Sequence, residues 1–370
     1  MPSERAVLGI RGPGEPALLP MDDDELELSD GRFAVEIEFS GVSAGTELTF
    51  VKGSNPMLHA DFDSEFGVFR PDRAAVSYPV RKLGYMQVGR VTGSRTTAVA
   101  TDSRVALACG HRTHHVVDTA VERFVVLPDD LDPLLGIYVA HMGPICANGL
   151  LHAAADLVGP PVLDLGDGVR GRRVLVTGAG VVGLLTALFA AHLGAAEVAI
   201  VDRTPARLAA ARALGLWAID DRDGDAWSAV KARWRQAPGD RGADLVFQCR
   251  GQDAALASAL RCLRPQGTVI DLAFYPGGSP GLRLGEEFHH NGLGIRCAQI
   301  GRVPRGCAHL WDRERLSAAT IELLQARGGD VSEQVITDVV PFSEGPELLL
   351  ALAARDRHVI QAVLATAPPR

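Results

Sequence analysis

The stretch Arg173-Val-Leu-Val-Thr177-Gly178-Ala179-Gly180-Val181-Val182-Gly183-Leu-Leu-Thr-Ala-Leu-Phe189 decides the fold. Five residues of strand composition run into G-x-G-x-x-G, and an uncharged helical stretch follows. The next strand, Glu197-Val-Ala-Ile-Val-Asp202, ends in an acid 24 residues after Gly178 and 19 after Gly183. A glycine fingerprint alone is a weak signal. One that follows a strand, opens a helix and is answered by this acid predicts a dinucleotide-binding unit. Gly178 allows the tight turn, Gly180 lets the backbone approach a pyrophosphate, and Gly183 lets the helix pack against the strand. Ala179, Val181 and Val182 complete the loop, and the helix N-terminus offers unpaired N–H groups to the phosphates. Asp202 is placed to bind the adenosine ribose and to repel a 2′-phosphate, which favours NAD. Arg203 and Arg207 close behind it keep NADP open.

Working outward, strand and helix continue to alternate. Strands are predicted over 217–220, 243–249, 268–274 and 295–300, with helices over 205–214, 226–236 and 254–263. Such alternation with short apolar strands predicts a doubly wound parallel sheet, hence an α/β fold. Before it the texture is β. Phe33-Ala-Val-Glu-Ile-Glu-Phe-Ser40 alternates, with Phe33, Val35, Ile37 and Phe39 on one face and the two glutamates on the other. Further strands are predicted over 86–92, 104–108 and 123–127. The tail carries helices over 316–327 and 346–354 and a strand over 358–364. The expected domains are 1–140, completed by 306–370, and 141–305.

Composition narrows the function. The 37 basic and 45 acidic residues give a net charge of −8, which argues against nucleic acid or an anionic membrane as partner. Hydrophobic residues at 47% and charged residues at 22% are globular usage, so the bulk of the chain is expected to fold. Six cysteines, none in C-x-x-C spacing, give neither a disulfide framework nor a structural zinc lobe. The first residues lack the apolar core of a signal peptide, and a cytoplasmic protein is expected. His111-Arg-Thr-His114-His115 puts His111 and His115 on one face of a strand and His114 on the other. It is read as a histidine row in preference to a metal site.

Gly41-Val-Ser-Ala-Gly-Thr-Glu47 and Pro79-Val-Arg-Lys-Leu-Gly-Tyr-Met-Gln-Val-Gly-Arg-Val91, with the fingerprint and Phe288-His-His-Asn-Gly-Leu-Gly-Ile-Arg296, resemble the medium-chain dehydrogenase/reductase superfamily. The resemblance spans nearly the whole chain. It implies a Rossmann domain, a GroES-like catalytic domain, hydride transfer with nicotinamide, a small-molecule substrate and a homodimer. The zinc-dependent members carry a cysteine ligand in the first motif and a histidine in the second. Here Ala44 and Tyr85 stand there, so the chain resembles a zinc-free branch that includes relatives of hydroxyethyl-bacteriochlorophyllide dehydrogenase, and no metal is expected. Thr46, Glu47 and Tyr85 are then the candidate groups for handling charge on the reacting oxygen. Topology and resemblance add Cys249, Gly251, Ala273, Phe274 and Gln299 as neighbours of the nicotinamide. His289 and His290 are candidate substrate residues at the carboxyl edge of the sheet. Oxidation of a polyol, cyclitol or specialised metabolite, or the reverse ketone reduction, is the leading expectation. An alkene reductase of the quinone-oxidoreductase kind and a non-catalytic dinucleotide-binding protein are the alternatives.

Overall fold

The computed structural model describes residues 5–275 and 277–366; Met1 to Glu4, part of the N-terminal stretch read above, lie outside them. Two compact units result, Met1–His141 with Ile336–Arg370, and Met142–Val335.

The first unit opens with an antiparallel hairpin, β1 (Ala6–Ile10) and β2 (Pro16–Pro20). The long strand β3 (Arg32–Gly41) follows, and Phe33, Val35 and Ile37 are buried as the alternation requires. The alternation then breaks. A bulge between Ile37 and Phe39 shifts the register against the neighbouring strand, so Ser40 turns into the core and Phe39 is left half-buried. The predicted face of Phe39 is thus corrected: an extra residue in one strand re-aims every side chain beyond it. Helix α1 (Ala44–Val51) comes next, where no helix was predicted. After a short hairpin of Asp61–Asp63 and Val68–Arg70 come strands β4 (Gln87–Ser94), β5 (Arg104–Leu107), β6 (His114–Asp118) and β7 (Val125–Val126). Phe33, Val35, Ile37, Val91, Val105, Leu107 and Val117 form one of the unit's cores.

The second unit begins with α2 (Met142–Val158), a helix buried over most of its circumference. It then alternates as predicted: β8 (Arg173–Thr177), α3 (Val181–His192), β9 (Glu197–Asp202), α4 (Pro205–Ala213), β10 (Trp217–Asp220), α5 (Ala226–Arg233), β11 (Ala243–Gln248), α6 (Asp253–Cys262), β12 (Leu263–Asp271), the short α7 (Glu287–His290), β13 (Gly294–Cys297) and α8 (Arg313–Gln334). The six strands pair in parallel in the order β10-β9-β8-β11-β12-β13. The order reverses at β8, so the fingerprint after β8 sits at the switch point where ligands of such sheets bind. Leu175, Ala199, Val246 and Val269 pack into a core with Ala259, Leu260 and Trp234.

The chain then returns to the first unit with β14 (Ile336–Pro341), α9 (Gly345–Ala354) and β15 (Gln361–Ala365). β15 lies between β14 and β3, in the sheet order β14-β15-β3-β4-β5-β7, with β6 on the other half of β3. The return point is Ile336, where 306 was expected. Helix α8 accounts for the difference, because it packs so closely on α2 that a side chain at Gly143 would meet Thr320 Cγ2 at 2.1 Å. Among the described residues no helix is long and apolar enough to cross a membrane.

Candidate active site

The fingerprint loop has the shape its glycines predict. Gly178 stands at φ +93°, a conformation that side-chain-bearing residues rarely adopt, and a Cβ at Gly183 would lie 1.8 Å from the Gly178 carbonyl oxygen. At Gly180, the N-cap of α3, the nearest atom to such a Cβ is Arg207 Nη1 at 4.0 Å, so the loop is an open cradle. The first turn of α3 carries no acidic residue to occupy its N–H groups. These features fit a dinucleotide pyrophosphate held by the 179–183 backbone.

Asp202, at the end of β9, is only 4% exposed. Its carboxylate accepts hydrogen bonds from the backbone N–H groups of Ala179 (2.8 Å), Arg203 (2.7 Å) and Thr204 (2.8 Å), and Arg207 Nη1 lies 3.9 Å away. Burial alone would raise its pKa. The Ala179 and Thr204 amides and the Arg207 charge outweigh that and hold it below the usual aspartate value. Asp202 therefore also fastens the glycine loop to the second strand.

Cys249, Gly251, Ala273 and Phe274 come together at the same carboxyl edge. A Cβ at Gly178 would touch Arg250, and one at Gly251 would lie 2.1 Å from the Phe274 carbonyl oxygen. Asp271 accepts from the Ala273 N–H (2.9 Å) and the Tyr275 hydroxyl (2.8 Å), and Gln248 Nε2 donates to the Tyr275 oxygen (3.1 Å). Burial raises the pKa of Asp271 and of the Cys249 thiol. Gln299 is exposed, and its carbonyl oxygen accepts from Asn148 Nδ2 (3.2 Å). His289 and His290 are exposed on α7, shortly before β13. A parallel sheet forces the chain back to its amino edge before each new strand, so α7 precedes β13 at the edge opposite the fingerprint. The expected position at the carboxyl edge is corrected accordingly.

In the first unit a buried polar network occupies the place of the two resemblance motifs. Glu47, 1% exposed, accepts the Ser43 N–H with one oxygen (2.7 Å) and meets His111 Nε2 with the other (2.9 Å). His111 is fully buried; its Nδ1 lies 2.6 Å from Ser40 Oγ, which accepts from Gln87 Nε2 (3.0 Å). Gln87 Oε1 in turn accepts the N–H groups of Cys109 and Gly110. With Nε2 protonated and Nδ1 accepting the Ser40 hydroxyl proton, every group has a partner. Gly84, at φ +87°, lets the chain lie against the imidazole, since a Cβ there would be 2.6 Å from the ring.

Ser43 is the N-cap of α1, but its side chain makes no capping bond. Glu47 has taken the Ser43 backbone N–H, and the serine hydroxyl lies 2.5 Å from the Tyr85 hydroxyl. Tyr85 is half-buried, with its ring 4.5 Å from that of His141. Thr46, also half-buried, has no side-chain hydrogen bond among the described residues. The three candidates therefore separate: Tyr85 and Thr46 reach partial exposure, whereas Glu47 is enclosed and its carboxylate fully engaged. Sequence reasoning missed Ser40, Ser43 and Gln87, and it placed His111 on the face of a strand. His111 instead precedes β6 and joins the network.

Ala44 and Tyr85 occupy the resemblance's ligand positions, and Glu47 and His111 are engaged with each other and with Ser43 and Ser40. Among the described residues no group of three or more His, Cys, Asp and Glu side chains is placed to hold a metal.

The fold and the glycine cradle are those of a dinucleotide-binding α/β protein, and the chain is similar to known dehydrogenases. Residues 181–302 match the family described as zinc-binding dehydrogenase. The chain is 27% identical over 340 residues to the D-guloside 3-dehydrogenase of Escherichia coli (strain K12), covering 89% of this chain and 90% of that one. It is 28% identical over 212 residues to the sorbitol dehydrogenase 1 of Saccharomyces cerevisiae (strain ATCC 204508 / S288c), covering 51% and 59%. A provisionally named zinc-binding dehydrogenase from Sinorhizobium meliloti 1021, bound to NADP, has the same fold, with a TM-score of 0.72 at 19% identity over 98% of this chain and 99% of that one. These matches support the medium-chain dehydrogenase/reductase superfamily.

Proposed function

We propose that the protein transfers hydride between NAD and a secondary alcohol or ketone of polyol or sugar type, and that it does so without catalytic zinc. The Ser43–Tyr85 hydroxyl pair carries this reading: two polar hydrogens stand where the resemblance expects a metal site. Bound nicotinamide supplies or takes the hydride. In the direction of ketone reduction, Tyr85 O–H donates to the developing alkoxide, and Ser43 O–H stabilises the phenolate oxygen left behind. Thr46 offers a second hydroxyl to the substrate. Glu47 and His111 are positioning residues: they fix the first turn of α1 and release Ser43 from capping. The 179–183 backbone holds the pyrophosphate, and Asp202 favours a cofactor without a 2′-phosphate. The D-guloside and sorbitol dehydrogenases among the relatives support an alcohol over an alkene as substrate.

A panel of polyols, sugars, ketones and enones, followed by NADH and NADPH absorbance with and without chelator, tests the reading. Turnover of a polyol or ketone that survives chelation is expected. Turnover confined to enones would replace it with the alkene-reductase reading. One tightly held zinc per chain, with activity lost on its removal, would overturn the zinc-free step. Cofactor binding with no turnover of any substrate would favour the non-catalytic alternative.

A further inference from the structure

The sequence leaves Arg203 and Arg207 as groups that would welcome a 2′-phosphate, but the structure finds each of them engaged. Arg207 lies between Asp202 and the fingerprint loop, with Nη1 3.9 Å from Asp202 Oδ2 and 4.0 Å from the point where a Gly180 side chain would begin. Arg203 turns the other way. Its Nε lies 2.9 Å from Asp221 Oδ2, just beyond the end of β10, and the Asp221 N–H is anchored on the Asp202 carbonyl oxygen (3.2 Å). Asp202 and Asp220 are in register across β9 and β10, and Asp220 is bonded to Arg222. Three carboxylates therefore border this corner of the sheet.

We propose that Asp221 is a cofactor-selecting residue: by holding Arg203 in an ion pair, it withholds that guanidinium from a 2′-phosphate. The inference rests on the NAD reading above and extends it beyond Asp202. Asp202 rejects the phosphate by its own charge; Asp221 acts by occupying the cation that would answer that charge. The pair is partly exposed, with the arginine side chain 59% and the aspartate 21% accessible, so a phosphate competes for Arg203 against a weak partner and the selection is graded.

Calorimetric titration of NADH and NADPH onto the native chain, Asp221→Asn, Arg203→Ala and the double variant tests this without any substrate. The native chain should bind NADH more tightly. Asp221→Asn should tighten NADPH by about three- to tenfold, the scale of one charge-assisted contact at a wet site, and leave NADH within about twofold. The gain should shrink as salt rises. It should vanish in the double variant, because Arg203 is the group released. Unchanged NADPH affinity in Asp221→Asn would overturn the proposal. So would a gain that survives loss of Arg203, which would report simple removal of charge. Native protein that binds neither dinucleotide would overturn the cofactor reading itself and this inference with it.

Discussion

Ser40 reaches His111 because one bulge breaks the alternation of β3. Strict alternation would send it to the opposite face, which is why the network was illegible in the sequence. Phe39 and Ser40 look like any apolar–polar pair, and nothing local marks the extra residue. Gly178, Gly183 and Asp202 were legible because their roles depend on chain neighbours at fixed spacing. Tyr85 and Glu47 were legible as departures from a motif, but not in how they differ: burial separates the half-buried phenol from the enclosed carboxylate, and burial is a tertiary property. Replacing Tyr85 with Phe should lower kcat by roughly 10²- to 10⁴-fold and leave NADH affinity unchanged, as removal of a proton donor requires. Equal loss of cofactor binding, read by fluorescence titration, would assign Tyr85 to packing instead. His111→Leu strips Glu47 of its partner in a site closed to water. It should cost about 3–5 kcal/mol in denaturant unfolding. Asp202 adds a pH signature. Its folded-state pKa lies below the unfolded value, so its contribution is present at neutral pH and is lost as pH falls through the lowered value. The stability gap between native and Asp202→Asn, about 1–3 kcal/mol near pH 7, should close as the pH falls through the acid range below the ordinary aspartate value.

At the scale of elements, periodicity missed the short α1 and the long, almost fully buried α2. From Met142 to Ala154 nearly every residue of α2 is buried, including Asn148 and His152, so no 3.6-residue stripe marks it. Asn148 and His152 both hydrogen-bond the Arg302 carbonyl oxygen, which ties α2 to the segment that follows β13. Helix α8 was foreseen but assigned to the wrong unit, since a sequence shows that a helix forms without showing what it packs on. Gly143→Ala tests that packing. The new methyl falls on Thr320, so the variant should lose about 1–3 kcal/mol, and Thr320→Ala beside it should restore much of the loss. No loss in chemical denaturation would mean that α8 does not lie on α2 as described.

At the scale of the molecule, the alternation of strand and helix revealed the α/β class and the doubly wound parallel sheet. The second unit's end depended on contacts and was misplaced by some thirty residues. Assembly is a separate expectation. β13 is the outer strand of the parallel sheet, and Ile295 on it is 38% exposed. An open edge of this kind invites pairing with a second copy. Sedimentation at micromolar concentration should give a homodimer, and Ile295→Lys should shift it toward monomer. A native monomer would refute the dimer.

The position of β15 has a consequence for the order in which a ribosome can deliver this protein. Residues Phe39 to Gly41 of β3 pair with Ala365 to Val363, so this edge of the strand waits for residues made more than three hundred positions later. At about 5–20 residues per second, more than three hundred intervening residues take on the order of 15–65 s to synthesise. The parallel sheet, complete by Cys297, can form within that interval. Ser40, paired with Leu364, lies on the late-closing stretch, so the surroundings of His111 close only after the parallel sheet can have formed.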